Sequence, residues 1–69
     1  MTDLQFQLNG QPHTMPEGST VADLLDAVGA RREGVAVAIA RRVVPRGEHG
    51  DRRLQAGDEV ELITAVGGG

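Results

Sequence analysis

Hydrophobic and polar residues alternate near the start of the chain with the two-residue period of a β-strand. Leu4, Phe6 and Leu8 are separated by Gln5 and Gln7. Because successive side chains of a strand point to opposite faces, this pattern predicts a strand with one buried face.

The dipeptide Asn9-Gly10 follows this strand directly. Asn-Gly suits the positive backbone angles of a two-residue hairpin turn, so residues 11–15 are expected to return antiparallel to the first strand. Pro12 has no backbone N–H to donate, and it therefore indicates an edge strand or the start of a strand.

An apolar stripe with helical spacing comes next. Thr20 can cap the helix together with Asp23 in a capping box, and the carboxylate also suits the positive end of the helix. Gly29 is expected to end it. The stripe consists of Val21, Leu24, Leu25 and Val28, at positions i, i+3, i+4 and i+7.

Residues 35–40 read VAVAIA, with branched residues on one face and small ones on the other. This composition is typical of a strand covered on both sides, so we expect it to be central. Residues 43–44 before Pro45 predict a short strand. Residues 46–53 form a polar, glycine-punctuated loop, after which Leu54 is expected to enter the core.

The last strand is predicted over residues 59–64, where apolar and acidic positions alternate after a turn at Gly57-Asp58. The order strand, strand, helix, strand, short strand, strand predicts an α+β fold of the β-grasp or ubiquitin-like type. We expect a mixed sheet of four to five strands with one main helix packed on one face. The domain is expected to span residues 1–66, with a flexible glycine tail at 67–69.

The composition fits one small globular domain. The chain has 69 residues, of which 39% are hydrophobic, and a formal net charge of −3. It contains no cysteine, which excludes a disulfide, a thiolate metal site and a thiol nucleophile. No apolar run is long enough to span a membrane or follows a basic leader, so we expect a cytoplasmic protein without membrane contact.

The basic residues do not indicate a nucleic-acid-binding protein. All seven are arginines, and Phe6 is the single aromatic residue. With a net acidic balance, the chain lacks both the basic surface and the stacking rings that such proteins use. The arginines are expected to be solvated in loops and at strand edges.

Three glycines, Gly67, Gly68 and Gly69, end the sequence after Val66. Glycine has no Cβ atom, so this segment can lie extended in a channel too narrow for other residues. The carboxylate of Gly69 is a weak electrophile that an enzyme can activate by joining it to the phosphate of AMP. Neither GxxxxGK[ST] nor GxGxxG occurs in the chain. We therefore expect a substrate of an activating enzyme, and the alternative is a frayed tail without function.

Several short motifs occur in a fixed order along the chain: LNGQP at 8–12, VADLL at 21–25, VVPR at 43–46, AGDEVE at 56–61 and the terminal glycines. With these motifs the chain resembles the ThiS-type sulfur carriers of thiamine biosynthesis over nearly its whole length. It departs from them in the middle, since members usually carry asparagine where Ala40 or Arg41 stands, and often a serine and an aromatic residue where Gly47 and His49 stand.

The resemblance implies a cycle of sulfur transfer at the tail. A ThiF-like adenylating enzyme would use ATP and magnesium to convert the carboxylate of Gly69 to an acyl-adenylate, and a persulfide donor would then replace AMP with sulfur. The resulting thiocarboxylate would supply sulfur to a ThiG-like thiazole synthase. Gly68 and Gly67 would thread the partner's channel, although Gly67 could serve only to lengthen the arm. The chain itself would bind no cofactor, would not be an enzyme and would be a monomer when free.

Contacts with these partners are predicted on the open face of the sheet. Ile63 and Val66, near the tail, are candidates for an apolar docking patch, although the simpler interpretation of both is ordinary core. The acidic residues Asp58, Glu59 and Glu61 could steer an arginine-rich partner surface. His13 and His49 are isolated and are assigned neither a catalytic nor a metal-binding role.

Three other functions share these features. A MoaD-like carrier for molybdopterin, or a carrier feeding cysteine, methionine or a siderophore, would use the same chemistry for another metabolite. A ubiquitin-like protein modifier would form isopeptide bonds with lysines of other proteins. A β-grasp binding module with an incidental tail would make no use of the glycines.

Overall fold

The computed structural model describes residues 2–30 and 34–64, which form a five-stranded mixed sheet with one helix packed against it. The strand order is β2-β1-β5-β3-β4, with β1 and β5 parallel and the other pairs antiparallel. The β-grasp prediction is therefore confirmed. The elements are β1 (Asp3–Leu8), β2 (Gln11–Pro16), α1 (Val21–Val28), β3 (Val35–Ile39), β4 (Arg42–Val44) and β5 (Glu59–Thr64), with a short 3-10 helix at Arg46–Glu48 in the loop before β5.

The prediction that residues 35–40 form the central strand is wrong. The middle strand is β5, and β3 lies between β5 and the short edge strand β4. The strand also ends at Ile39 rather than at Ala40, which belongs to the following turn. Because α1 covers one face of the sheet only, Ala36 on the other face is exposed, whereas Ala38 on that face is buried.

Both two-residue turns of the sheet have left-handed backbone conformations. Asn9 and Gly10, with φ of 52° and 82°, join β1 to β2 as predicted. Ala40 and Arg41, with φ of 53° and 67°, join β3 to β4 in the same way. Asparagine and glycine tolerate positive φ, whereas alanine and arginine rarely adopt it. The second turn therefore uses residues that are unfavourable in this conformation.

Helix α1 begins and ends as predicted. The backbone N–H of Asp23 donates to the Thr20 hydroxyl over 3.2 Å, and the Thr20 N–H donates to the Asp23 carboxylate over 3.0 Å. Gly29 ends the helix with a φ of 74°. Of the predicted stripe, Val28 is 40% exposed, while the other three residues are fully buried. Those three are Val21, Leu24 and Leu25.

A single core cluster fills the space between α1 and the sheet. Leu54 enters it from the loop before β5 and is only 3% exposed, which confirms the prediction for this residue. Pro12 lies on the edge strand β2, also as predicted. The buried strand residues of the cluster are Leu4, Phe6, Met15, Val37, Ile39, Val44 and Val60.

Candidate functional site

The C-terminal half of β5 is the part of the fold that directly precedes the predicted reactive segment in the sequence. The candidate residues Val66, Gly67, Gly68 and Gly69 lie outside the described residues. Of the predicted site residues, only Ile63 lies within the described part of β5. The candidate site therefore consists of the last strand, its neighbouring strands and the sheet face that α1 leaves uncovered.

Ile63 belongs to this open face and not to the core. Its side chain is 55% exposed, so the interpretation of Ile63 as an ordinary core residue is wrong. The strand alternation explains the difference, because even-numbered positions of β5 face α1 and odd-numbered positions face away from it. The neighbouring even position, Val60, is 1% exposed.

Small and apolar residues surround Ile63 on the open face. Ala36 pairs directly with Ile63, and Ala38 pairs with Val43 on the outer strand. Residues that pair directly across strands lie on the same face, so these four share one side of the sheet. Val43 is 69% exposed. We call Ala36, Ala38, Val43 and Ile63 the open-face patch.

Two acidic residues lie on the open face. Glu59 and Glu61 are exposed, and they share the odd-numbered side of β5 with Ile63. Asp58, in contrast, is occupied by local contacts. Its carboxylate accepts from the Gln55 N–H over 2.8 Å and lies 3.7 Å from the Arg52 guanidinium. Of the three acidic residues predicted to steer a partner, Asp58 is the one paired with Arg52, and Glu59 and Glu61 take no part in that ion pair.

A polar groove lies where the two hairpin turns meet the start of β5. Asn9 and Arg41 line it, together with Glu59 and Glu61. At this position the Asn9 side chain accepts a hydrogen bond from the Leu62 backbone N–H over 2.9 Å. From the sequence, Asn9 is expected only to form a turn, since a contact across 53 positions leaves no local signal.

The two histidines have packing contacts within the domain. His49 is 3% exposed, and its Nε2 donates to the Val44 carbonyl oxygen over 3.0 Å. The His13 ring packs at a tilt of 55° against Phe6, with ring centroids 5.4 Å apart. The burial of His49 was not predicted from the sequence. Among residues 2–30 and 34–64, no group of three or more His, Asp or Glu side chains could hold a metal ion.

The molecule is a β-grasp domain whose last strand is followed in the sequence by a glycine segment. This arrangement is that of the ubiquitin-like carrier proteins. More closely, the chain belongs to the ThiS family, whose sequence profile matches residues 6–69. The match extends through the three terminal glycines. None of the helices in the described part of the chain is long and apolar enough to cross a membrane.

Individual relatives agree with this assignment. The sulfur carrier protein ThiS of Escherichia coli K12 is 33% identical over 66 residues, which cover 96% of this chain and all of that protein. The crystal structure of a thiamine biosynthesis protein (ThiS) from Geobacter metallireducens superposes with a TM-score of 0.81 at 32% identity, covering 96% of this chain and all of that one. The chain is thus a sulfur carrier of the ThiS type.

A longer relative is also similar. A thiazole synthase of Magnetococcus marinus is 39% identical over 66 residues. The match covers 96% of this chain but spans only 20% of that protein's length. A stretch similar to this whole carrier is therefore one part of a larger chain in that organism.

Proposed function

We propose that this protein carries sulfur for thiamine biosynthesis as a thiocarboxylate on Gly69. The observation that carries the proposal is the match to the ThiS family from Phe6 through Gly69, which includes the complete glycine segment. In this proposal the protein is a co-substrate of two enzymes and not itself an enzyme. We place it in the cytosol, where its ATP-using partner would act.

The first step activates the carboxylate. A carboxylate oxygen of Gly69 attacks the α-phosphorus of ATP bound with magnesium to a ThiF-like enzyme, the bond to the β-phosphate breaks, and pyrophosphate leaves. The product is a mixed anhydride with AMP. Glycines at positions 67 and 68 suit this step because a segment without side chains can enter a narrow channel.

The second step exchanges oxygen for sulfur. The terminal sulfur of a protein persulfide attacks the carbonyl carbon, and AMP leaves with its oxygen. A thiol reductant then attacks the donor sulfur of the resulting acyl disulfide, which releases the thiocarboxylate and leaves a disulfide on the donor. A ThiG-like thiazole synthase would accept the sulfur, a role supported by the similarity to one segment of a thiazole synthase.

The open face of the sheet is the proposed docking surface for both enzymes. Ile63 and Val43 offer exposed apolar area, and Glu59 and Glu61 place negative charge beside it. Apolar patches bordered by charged residues are typical of protein interfaces. A partner surface with apolar side chains flanked by lysine or arginine would match this pattern. Val66 remains a proposed member of the patch.

Intact-protein mass spectrometry tests the proposal. The chain is incubated with a ThiF-like enzyme, magnesium-ATP, a persulfide donor and a thiol reductant, and the expected product has one oxygen replaced by sulfur at its terminus. Deletion of Gly69 should abolish the exchange, and Gly68→Ala should slow it strongly. Gly47→Ala is the matched control. A Cβ at Gly47 would meet nothing within 4 Å, and the backbone there does not have a positive φ, so alanine fits without strain.

Three outcomes would contradict all or part of the proposal. If the mass never changes, or changes equally after Gly69 is deleted, the carrier function is wrong. If adducts resistant to thiol reduction form on lysines of other proteins, the chain is a ubiquitin-like modifier. If the thiocarboxylate forms but a thiazole synthase cannot use it while another sulfur-accepting enzyme can, the carrier role holds and the thiamine pathway is wrong.

A further inference from the structure

Asn9 holds the last strand of the sheet through its side chain. Its Oδ1 atom accepts a hydrogen bond from the backbone N–H of Leu62 over 2.9 Å. Leu62 lies two residues before β5 ends at Thr64 and seven residues before Gly69. The bond joins residues 53 positions apart and is exposed to solvent.

This contact replaces backbone pairing that β1 cannot supply. The parallel ladder of β1 and β5 ends at the pair Leu8 and Val60. The Asn9 N–H then donates to the Val60 oxygen over 2.8 Å, after which the chain turns away into β2. The next backbone group of β5 on this side is the Leu62 N–H, and it is taken by the Asn9 side chain. Asn9 therefore hydrogen-bonds to β5 twice, to Val60 through its backbone N–H and to Leu62 through its side chain.

The identity of the residue matters for both the turn and this bond. Asn9 has a φ of 52°, a left-handed conformation that asparagine tolerates well. Glycine would satisfy the turn equally but would have no acceptor for Leu62. Aspartate would keep both the turn and an acceptor oxygen. The turn and the strand contact can therefore be separated by substitution.

On the other side, β5 pairs with β3 as far as Thr64. Within the described residues, the Asn9 side chain is the last contact on the β1 side before the chain continues toward the glycines. Without it, the end of β5 would be held along one edge only. A strand held at one edge samples more directions, and a partner enzyme must then order it during binding, which weakens apparent affinity.

We propose that Asn9 is a positioning residue for the reactions of the tail. Its hydrogen bond to Leu62 fixes the direction in which β5 leaves the sheet, so that Gly69 reaches the partner's active site at a lower entropic cost. The inference rests on the proposed carrier function. It assigns to the turn between β1 and β2 a role in presenting the tail, in addition to reversing the chain.

The test compares Asn9→Gly with Asn9→Asp in the full-length chain. Adenylation by a ThiF-like enzyme is followed as pyrophosphate release, with KM and kcat determined for the carrier. We expect Asn9→Gly to raise KM by about threefold to tenfold, the usual effect of losing one hydrogen bond, with kcat within about twofold of the wild-type value. Asn9→Asp should restore most of the affinity. Hydrogen exchange at the Leu62 amide should accelerate in Asn9→Gly and not in Asn9→Asp.

Thr20→Ala is the matched control for stability. It removes the N-cap of α1, on a different element from β5, at a comparable expected cost in folding free energy, and it should leave KM unchanged. An equal rise of KM in Thr20→Ala and Asn9→Gly would mean that lower folding stability explains the effect, and it would overturn the inference. An unchanged KM in Asn9→Gly, with faster Leu62 exchange, would overturn it as well.

The same assay separates this inference from the proposed function. If the wild-type chain is adenylated and Asn9→Gly has the same KM, the positioning role fails and the carrier function stands. If the wild-type chain is not adenylated, the carrier function fails and the positioning role fails with it.

Discussion

The imidazole of His49 donates from Nε2 to the main-chain oxygen of Val44 over 3.0 Å, in a position where the ring is almost fully buried. Since a carbonyl oxygen can only accept, Nε2 carries the hydrogen. Nδ1 is buried without a hydrogen-bond partner among the described residues. The His49 carbonyl also accepts from the Ala22 N–H over 2.9 Å. His49 therefore joins the end of β4 to the first turn of α1.

We expect His49→Ala to lower the free energy of unfolding by about 2–3 kcal/mol, because it leaves a cavity and strands the buried Val44 oxygen. Urea denaturation followed by circular dichroism measures the change. His13→Ala, which removes a half-buried ring packed on Phe6, is the control and should cost less. Equal losses in the two variants would contradict the structural role of His49.

The turn at Ala40-Arg41 offers a stabilising substitution. Two L-residues without left-handed preference have φ of 53° and 67° there, and relief of such strain is worth about 1–2 kcal/mol per residue. We expect Ala40→Asn combined with Arg41→Gly to raise the urea midpoint without changing the slope of unfolding. Gly10→Ala, at a position where φ is 82° and a Cβ meets nothing within 4 Å, should have the opposite effect. No change in either midpoint would mean that the turns carry no strain.

Ile63 is expected to contribute to binding and not to stability. Because its side chain is 55% exposed, Ile63→Thr should change the free energy of unfolding by no more than about 0.5 kcal/mol. The same change should weaken binding to a ThiF-like enzyme about tenfold if Ile63 is an interface anchor. Titration calorimetry or KM measurement provides the comparison.

The matched control for this prediction is Val28→Thr. Val28 is 40% exposed on α1, which covers the opposite face of the sheet. Its substitution should leave partner affinity unchanged. Docking at the open-face patch would be wrong if both variants bound equally well, or if Val28→Thr alone weakened binding.

The capping box should show direct coupling between Thr20 and Asp23. Each residue's backbone N–H donates to the other's side chain. We expect Thr20→Ala to cost about 1 kcal/mol. Because both bonds belong to one motif, the double variant with Asp23→Ala should cost less than the sum of the two single losses. Thermal unfolding of all four chains measures this difference, and strict additivity would show that the two bonds act independently.

Much of the fold could be predicted because the relevant signals are local. Asn9-Gly10 indicates a left-handed turn by its own chemistry, and Thr20 with Asp23 marks the helix start within four residues. Alternation along residues 59–64 correctly predicts the inward side of β5. The same alternation places Ile63, at an odd-numbered position, on the face away from the core, as its 55% exposure shows.

The resemblance to known carriers predicts the reactive segment more specifically than any local pattern does. It depends on several short motifs in the right order, and the family match over residues 6–69 confirms it. The roles of Gly67, Gly68, Gly69 and Val66 remain predictions, since these positions lie outside the described residues. At Ala40-Arg41, only the backbone angles show that both residues adopt a left-handed conformation that is unfavourable for them.

By itself, the sequence determined the elements, their order and the β-grasp class, because turns, caps and periodicity act over a few residues. Only the tertiary structure decided that β5 occupies the middle of the sheet, that His49 is buried beneath β4 and α1, and that Asn9 reaches Leu62. Each of these depends on contacts between segments distant along the chain. Their free energies come from burial and pairing between elements, and neither member of such a pair shows by its own residue type which partner it will meet.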